Sequence, residues 1–193
     1  MTSLVRLLVM AAAAGAPAGA GTETAAAREQ ARECLDLPRE SAVEACRRAL
    51  ALGLNPVRAA VVRRALALKL IALERGKEAV EVYRAAARAQ PDDGEAHLRL
   101  GQALLSIAGD AEAALPVLQR ARELRPDEPR MQGAVGLALS ALGQAAEAVI
   151  AFEAALRLDP EFLESRPGAR RAYQAALRGE RWPPAVKPSP PPP

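Results

Sequence analysis

Aromatic residues are nearly absent from this chain, at 3%, and histidine occurs once, at His97. With aromatic and β-branched residues so sparse, an extensive sheet is excluded. A single imidazole builds neither a metal cluster nor a catalytic triad. The glycines stand singly, as turn formers, so no phosphate-cradling loop is present. The carboxylates sit at helical spacing from arginines, as Glu29 does beside Arg28 and Arg32, which makes them surface ion-pair partners rather than a reaction centre. No catalytic group, metal site or cofactor is expected, and the chain reads as non-enzymatic. His97 is expected to pack between helices.

What is present is alanine, the strongest helix former, in a chain of 193 residues that is 50% hydrophobic. That composition predicts an all-α protein with enough apolar surface for one core. The net charge is +3, from 26 basic and 23 acidic residues, and lysine appears only at 69, 77 and 187. Arginine and glutamate alternate in stretches such as "AREQARE" and "RAREL". Such mixing marks solvated helix faces rather than a basic stripe, and argues against nucleic acid as a partner.

The first residues, "MTSLVRLLVMAAAAGAPAGAG", combine a basic start at Arg6, an apolar run from Leu7 to Ala14, a break at Gly15 and Pro17, and small residues at 18–20. This is the layout of a bacterial secretory signal peptide over residues 1–20. The apolar run is shorter than the roughly 20 residues of a spanning helix. The expected product is a periplasmic or secreted protein beginning near Gly21, with no stable membrane anchor after cleavage.

Beyond the leader the chain repeats. Pro56, Pro91, Pro126 and Pro160 lie 35, 35 and 34 residues apart, and between them run two amphipathic stretches joined by the turns "ERGKE", "AGDAE" and "LGQAA". In each turn a glycine is expected to supply the left-handed residue that ends the first helix. Ala79 with Ala86, Ala114 with Ala121, and Ala148 with Ala155 mark one face of each second helix, opposite Ala67, Gly101 and Gly136 on the first. Small residues there let two backbones approach closely. Leu66, Leu70 and Tyr83, then Leu100, Leu104 and Leu118, then Val135, Leu139 and Phe152 are the expected core. A helix pair of this size buries its apolar face only by stacking on its neighbours.

In these features the chain resembles the tetratricopeptide repeat (TPR) family, over repeats at 57–91, 92–126 and 127–160. "LGQAAEAVIAFEAALRLDP" matches the second half of a family repeat closely. The second repeat carries one extra residue before Gly109, and Arg63, His97 and Gln132 stand where the family usually has an early aromatic. Pro116, inside a helix, is expected to kink it. The resemblance implies a scaffold whose first helices line a concave groove for a protein or peptide ligand; the alternatives are a non-catalytic subunit of a peptidoglycan or outer-membrane assembly complex, or a cytoplasmic adaptor whose N-terminus is not cleaved. The implied groove residues are Val61, Arg64, Leu68 and Ile71; Glu95, Leu98, Arg99, Gln102 and Leu105; and Arg130, Gly133, Leu137 and Ser140. Arg64, Arg99 and Arg130 would either grip carboxylates of the ligand or only solvate the surface.

The flanks read as caps. Residues 21–56 form a degenerate helix pair, whose second helix, "SAVEACRRALAL", starts with a Ser41–Glu44 capping box and carries Ala42, Cys46 and Ala49 at core spacing. Residues 161–181 contain a capping helix with Arg170, Arg171 and Arg178 outward and Tyr173, Ala176 and Leu177 inward. The remainder, 182–193, is a proline-rich disordered tail, a linker stub or a ligand for a proline-binding domain. Cys34 and Cys46 are either a disulfide, as export favours, or two reduced thiols. With regular helices and a tight turn Cys46 would lie about 10 Å too far along, so the bridge is expected to need a first helix ending at Cys34.

Overall fold

The computed structural model describes residues 23–183; the expected signal peptide over 1–20 and all but the first two residues of the expected disordered tail lie outside them. The described residues form α-helices and turns, with no strand. The order is α1 (Ala25–Asp36), α2 (Arg39–Ala51), α3 (Pro56–Ala72), α4 (Gly76–Ala89), α5 (Gly94–Ala103), α6 (Ala111–Leu124), α7 (Pro129–Ala141), α8 (Ala145–Leu158) and α9 (Pro167–Leu177). Successive helices pair as hairpins, each pair stacks on the next, and α9 closes the stack against α7 and α8. None of these helices is long and apolar enough to cross a membrane.

Local chemistry sets the helix starts. Thr24, Asn55 and Asp110 accept from the backbone N–H of Ala27, Arg58 and Ala113, and Asp93 accepts from that of Glu95. Each satisfies one of the donors that a first helical turn leaves free. Pro56 and Pro129 occupy the first turn, where a missing N–H costs nothing. Ser41 does not cap: α2 already begins at Arg39 behind Pro38, whose fixed extended backbone starts the helix without a side-chain bond.

The core is one continuous cluster from α1 to α9, rich in alanine. Close approach therefore matters more than bulk. A Cβ added to Gly101 would collide with the Leu118 side chain, and one on Gly136 would meet the Phe152 ring at 3.0 Å. Gly101 and Gly136 thus each sit beneath a large apolar side chain of the following helix. Phe152 is fully buried and makes an edge contact with Tyr173, ring centroids 5.7 Å apart, which fastens α9 to the last repeat.

The turns depart from their expected form. Gly109 and Gly143 have φ of 67° and 77°, but in the first repeat the left-handed residue is Glu74, φ 61°, not Gly76. Glu74 stands 35 residues before Gly109, so it occupies the glycine position. Gly76 serves a different need: a Cβ there would lie 2.5 Å from Ile107 of the next repeat. The extra residue of the second repeat is absorbed as a π-helical turn, Leu104–Ala108, at the end of α5, closed by a bond from the Asp110 N–H to the Leu104 carbonyl. A single-residue insertion in a helix produces this widening. Helix α6 runs on through Pro116, which is exposed, as is Glu112, whose carbonyl the proline cannot serve.

At the ends, Cys34 and Cys46 form a disulfide with Cα atoms 4.6 Å apart. Helix α1 does not stop at Cys34. It continues to Asp36, and the extended Leu37–Pro38 link (ψ 154° and 166°) offsets α2 enough to align the two cysteines. The residue before a proline is held extended. Arg170, Arg171 and Arg178 are exposed and Ala176 is buried, but Leu177 is 57% exposed, turned away by the phase of α9. The described chain also passes beyond 181. The Trp182 N–H donates to the Ser140 carbonyl at 3.1 Å and its ring packs on the core, because the end of α7 leaves carbonyls to satisfy.

Candidate partner-binding groove

The first helices of the pairs, α1, α3, α5 and α7, share one side of the stack. α1 touches α3 and α5 touches α7, whereas α3 and α5 barely meet. The inner face therefore divides into two halves of different character.

On α3 the apolar residues Val57, Val61, Leu68 and Ile71 are 77%, 49%, 51% and 40% exposed. With the exposed Arg64 between them they recur at alternating spacings of four and three residues, which draws a single stripe along the helix. The other exposed large apolar residues, such as Leu35, Ile150 and Leu177, are scattered over different helices. Scattered exposure is ordinary, but a continuous stripe marks an interaction face. α3 carries Arg58, Arg63, Arg64 and Lys69 and no acidic residue. Arg58 is held by Glu23, and the Lys69 Nζ donates to the Leu37 carbonyl at 3.1 Å. Arg63 is half-buried, and that desolvation pulls its pKa below the usual guanidinium value. Among the described residues Arg64 has no acidic side chain within 4.0 Å. The alternation of charges seen elsewhere fails on this helix. Beside it, Tyr83 of α4 is nearly buried. Burial raises its phenol pKa, an effect that the charges of Arg99 and Arg64 partly offset.

The α5–α7 half is occupied by the protein itself. Glu95 takes Arg99 at 2.5 Å and Arg130 at 3.1 Å. Glu128 takes Arg130 at 2.9 Å and Arg125 at 2.8 Å, and Arg125 reaches Asp93 at 3.8 Å. The hydrogen bond from Arg125, then that from Arg130, holds the Glu128 carboxyl below its ordinary pKa. Leu98 is 1% exposed and belongs to the core, because α5 and α7 are in contact there. Gly133 and Ser140 are buried as well. Phe162, from the turn after α8, packs on Gly133 and is itself covered by the Arg166 guanidinium, 4.5 Å from the ring centre. Gln102 remains exposed, and Leu105 and Leu137 are half-buried. His97 is not enclosed between helices. It is half-buried, with its Nε2 3.0 Å from the Pro91 carbonyl, and Gln132 makes the equivalent bond to the Pro126 carbonyl one repeat later. Polar side chains that tie down the turn have replaced the aromatic of the family pattern.

The predicted groove residues thus separate. Arg64, Leu68 and Ile71 stand open together, Arg99 and Arg130 are paired internally, and Leu98 is lost to the core. The stripe also extends to Val57, which periodicity from Val61 would have found. The Glu95–Arg99 pair was legible as an i,i+4 spacing. The cover that Phe162 gives Gly133 had no signal in local spacing.

A tetratricopeptide repeat model matches residues 64–129 and 108–161, together just over half of the chain. A search of curated protein sequences returned no match. Among solved structures, MamA 41-end from Desulfovibrio magneticus RS-1 is 22% identical, with a TM-score of 0.60 over 82% of this chain and 93% of that one. YrrB, described as a TPR protein with an unusual peptide-binding site, is 26% identical, with a TM-score of 0.53 over 72% of this chain and 77% of that one. The TPR2B domain in the pHsp70 complex of yeast Sti1 is 21% identical, with a TM-score of 0.54 over 62% of this chain and 96% of that one. Prolines one repeat apart, hairpins stacked on small residues and a family model that matches residues 64–161 lead to one assignment: the chain belongs to the tetratricopeptide repeat family.

Proposed function

We propose that the protein is a non-enzymatic scaffold that holds a segment of another protein on its first-helix face, and that it works in the bacterial cell envelope after export. The observation that carries the binding reading is the stripe of Val57, Val61, Leu68 and Ile71, which no part of the described chain covers. A soluble helix that leaves this much apolar surface in line gains by covering it with a partner. Proteins of similar fold include YrrB, with its unusual peptide-binding site, and the TPR2B domain of yeast Sti1 in complex with pHsp70, which supports a peptide or protein as the ligand class. Export is supported by the leader-like layout of residues 1–20 and by the Cys34–Cys46 bridge, since disulfides persist in oxidising compartments.

A photo-crosslinking amino acid at Leu68 should capture a discrete partner in cells. The same group at Ile150, exposed on the second helix of the third repeat, should not. Capture from Ile150 alone would move the binding surface to the outer helices. N-terminal sequencing of the protein from the envelope fraction should begin near Gly21, and an intact Met1 there would overturn export with cleavage.

A further inference from the structure

We infer that the partner segment is an acidic amphipathic helix of about four turns, docked along α3 with a carboxylate on Arg64. This rests on the groove reading above and adds which half is used and what chemistry fits it. The stripe runs from Val57 to Ile71, 14 residues or about 21 Å at 1.5 Å per residue. A helix of that length laid along α3 would cover Val57, Val61, Leu68 and Ile71 together, the seam by which two helices pair. Arg64 sits at the midpoint of the seam, exposed and without an acidic neighbour among the described residues, and the rest of α3 is basic or apolar. A guanidinium flanked by apolar side chains binds carboxylate in a partly dried setting, where the pair is stronger and more selective than on open surface.

Charge also decides against a second copy. In an antiparallel two-fold pairing the midpoint residue meets itself, and in a parallel one every residue does, so Arg64 would face Arg64 either way. An anionic bilayer is flat and would have to reach a stripe that lies on the inner face of the solenoid between α1 and α5. The α5–α7 half offers no equivalent anchor, because Glu95 already engages Arg99 and Arg130 and Phe162 fills the place beside Gly133.

The test is selection of a displayed library of helical peptides, with leucines at four-and-three spacing and random residues elsewhere, on the whole folded protein. The expected result is enrichment of Asp and Glu next to the leucines. Arg64→Glu should weaken the selected peptides at least tenfold and turn its own selection toward Lys and Arg, while Leu68→Asp should abolish binding to both. Circular dichroism should show both variants fully helical, since both positions are exposed. Sedimentation of the peptide-free protein should show no self-association that Leu68→Asp removes, and vesicles of anionic lipid should not bind. Failure to enrich any peptide, enrichment without charge preference, or the same preference in Arg64→Glu would overturn the inference. Self-association or vesicle binding lost in Leu68→Asp would overturn it in favour of those occupants. If the selected peptides ignored Leu68→Asp but were lost in Leu137→Asp, the α3 site would fall and the groove reading would stand. Insensitivity to both would remove the groove itself.

Discussion

Glu74 shows how much one residue carries. It holds a left-handed backbone that Gly109 and Gly143 hold in the other repeats, and for a side chain with a Cβ that conformation costs about 1–2 kcal/mol. Glu74→Gly should therefore stabilise the protein by up to about 1 kcal/mol, read from the urea midpoint, once the added freedom of the unfolded chain is subtracted. The same substitution logic reverses at Gly76, where Ile107 presses. Gly76→Ala should destabilise by about 1–3 kcal/mol, and Ile107→Ala in that background should recover part of the loss. The glycine in "ERGKE" was visible in the sequence, but its role was not. Alignment on the neighbouring turns would have given the position to Glu74, and only the approach of the next repeat explains why Gly76 is small. Removing the Cys34–Cys46 bridge with Cys34→Ser should lower stability by about 2–3 kcal/mol, since the closed loop is short.

At the scale of elements, the hairpins were legible because proline, the turn residues and small-residue spacing recur together, each with a local cause. The π-helical turn after α5 was legible only as an extra residue before Gly109. A sequence states that a residue is surplus, while the packing of neighbours decides where the helix widens. The chain of pairs from Arg99 through Glu95, Arg130 and Glu128 to Arg125 joins α5 to α7, and it makes stability depend on pH. The carboxyl of Glu128 is held below its ordinary range, so the unfolded chain takes up its proton first as the solution is acidified. Its contribution is therefore present above the unfolded pKa of about 4.3 and is lost as pH falls below it. Urea midpoints measured from pH 6 to pH 3 should decline, and Glu128→Gln should make that decline shallower, the rest being left to other carboxylates that arginines hold low, such as Glu78 and Glu180.

On the scale of the whole molecule, an alanine-rich stack buries little large apolar volume, so a few residues such as Phe152, Leu118 and Met131 hold the repeats together. The division of the inner face into an open α3 half and a self-covered α7 half lay beyond local reading. The lack of an acidic residue on α3 was visible, but much of the difference comes from residues far along the chain: Phe162 on Gly133, Trp182 on the end of α7, and Arg130 on Glu95. Arg64, Leu68 and Ile71 were legible as groove residues because nothing later in the described chain returns to cover them. Hydroxyl-radical footprinting of the protein bound to a library-selected helix tests this division most directly. Val61, Leu68 and Ile71 should be protected with Leu137 and Ile150 unchanged; protection centred on Leu137, or on the outer residue Ile150, would mean that α3 is not the docking face.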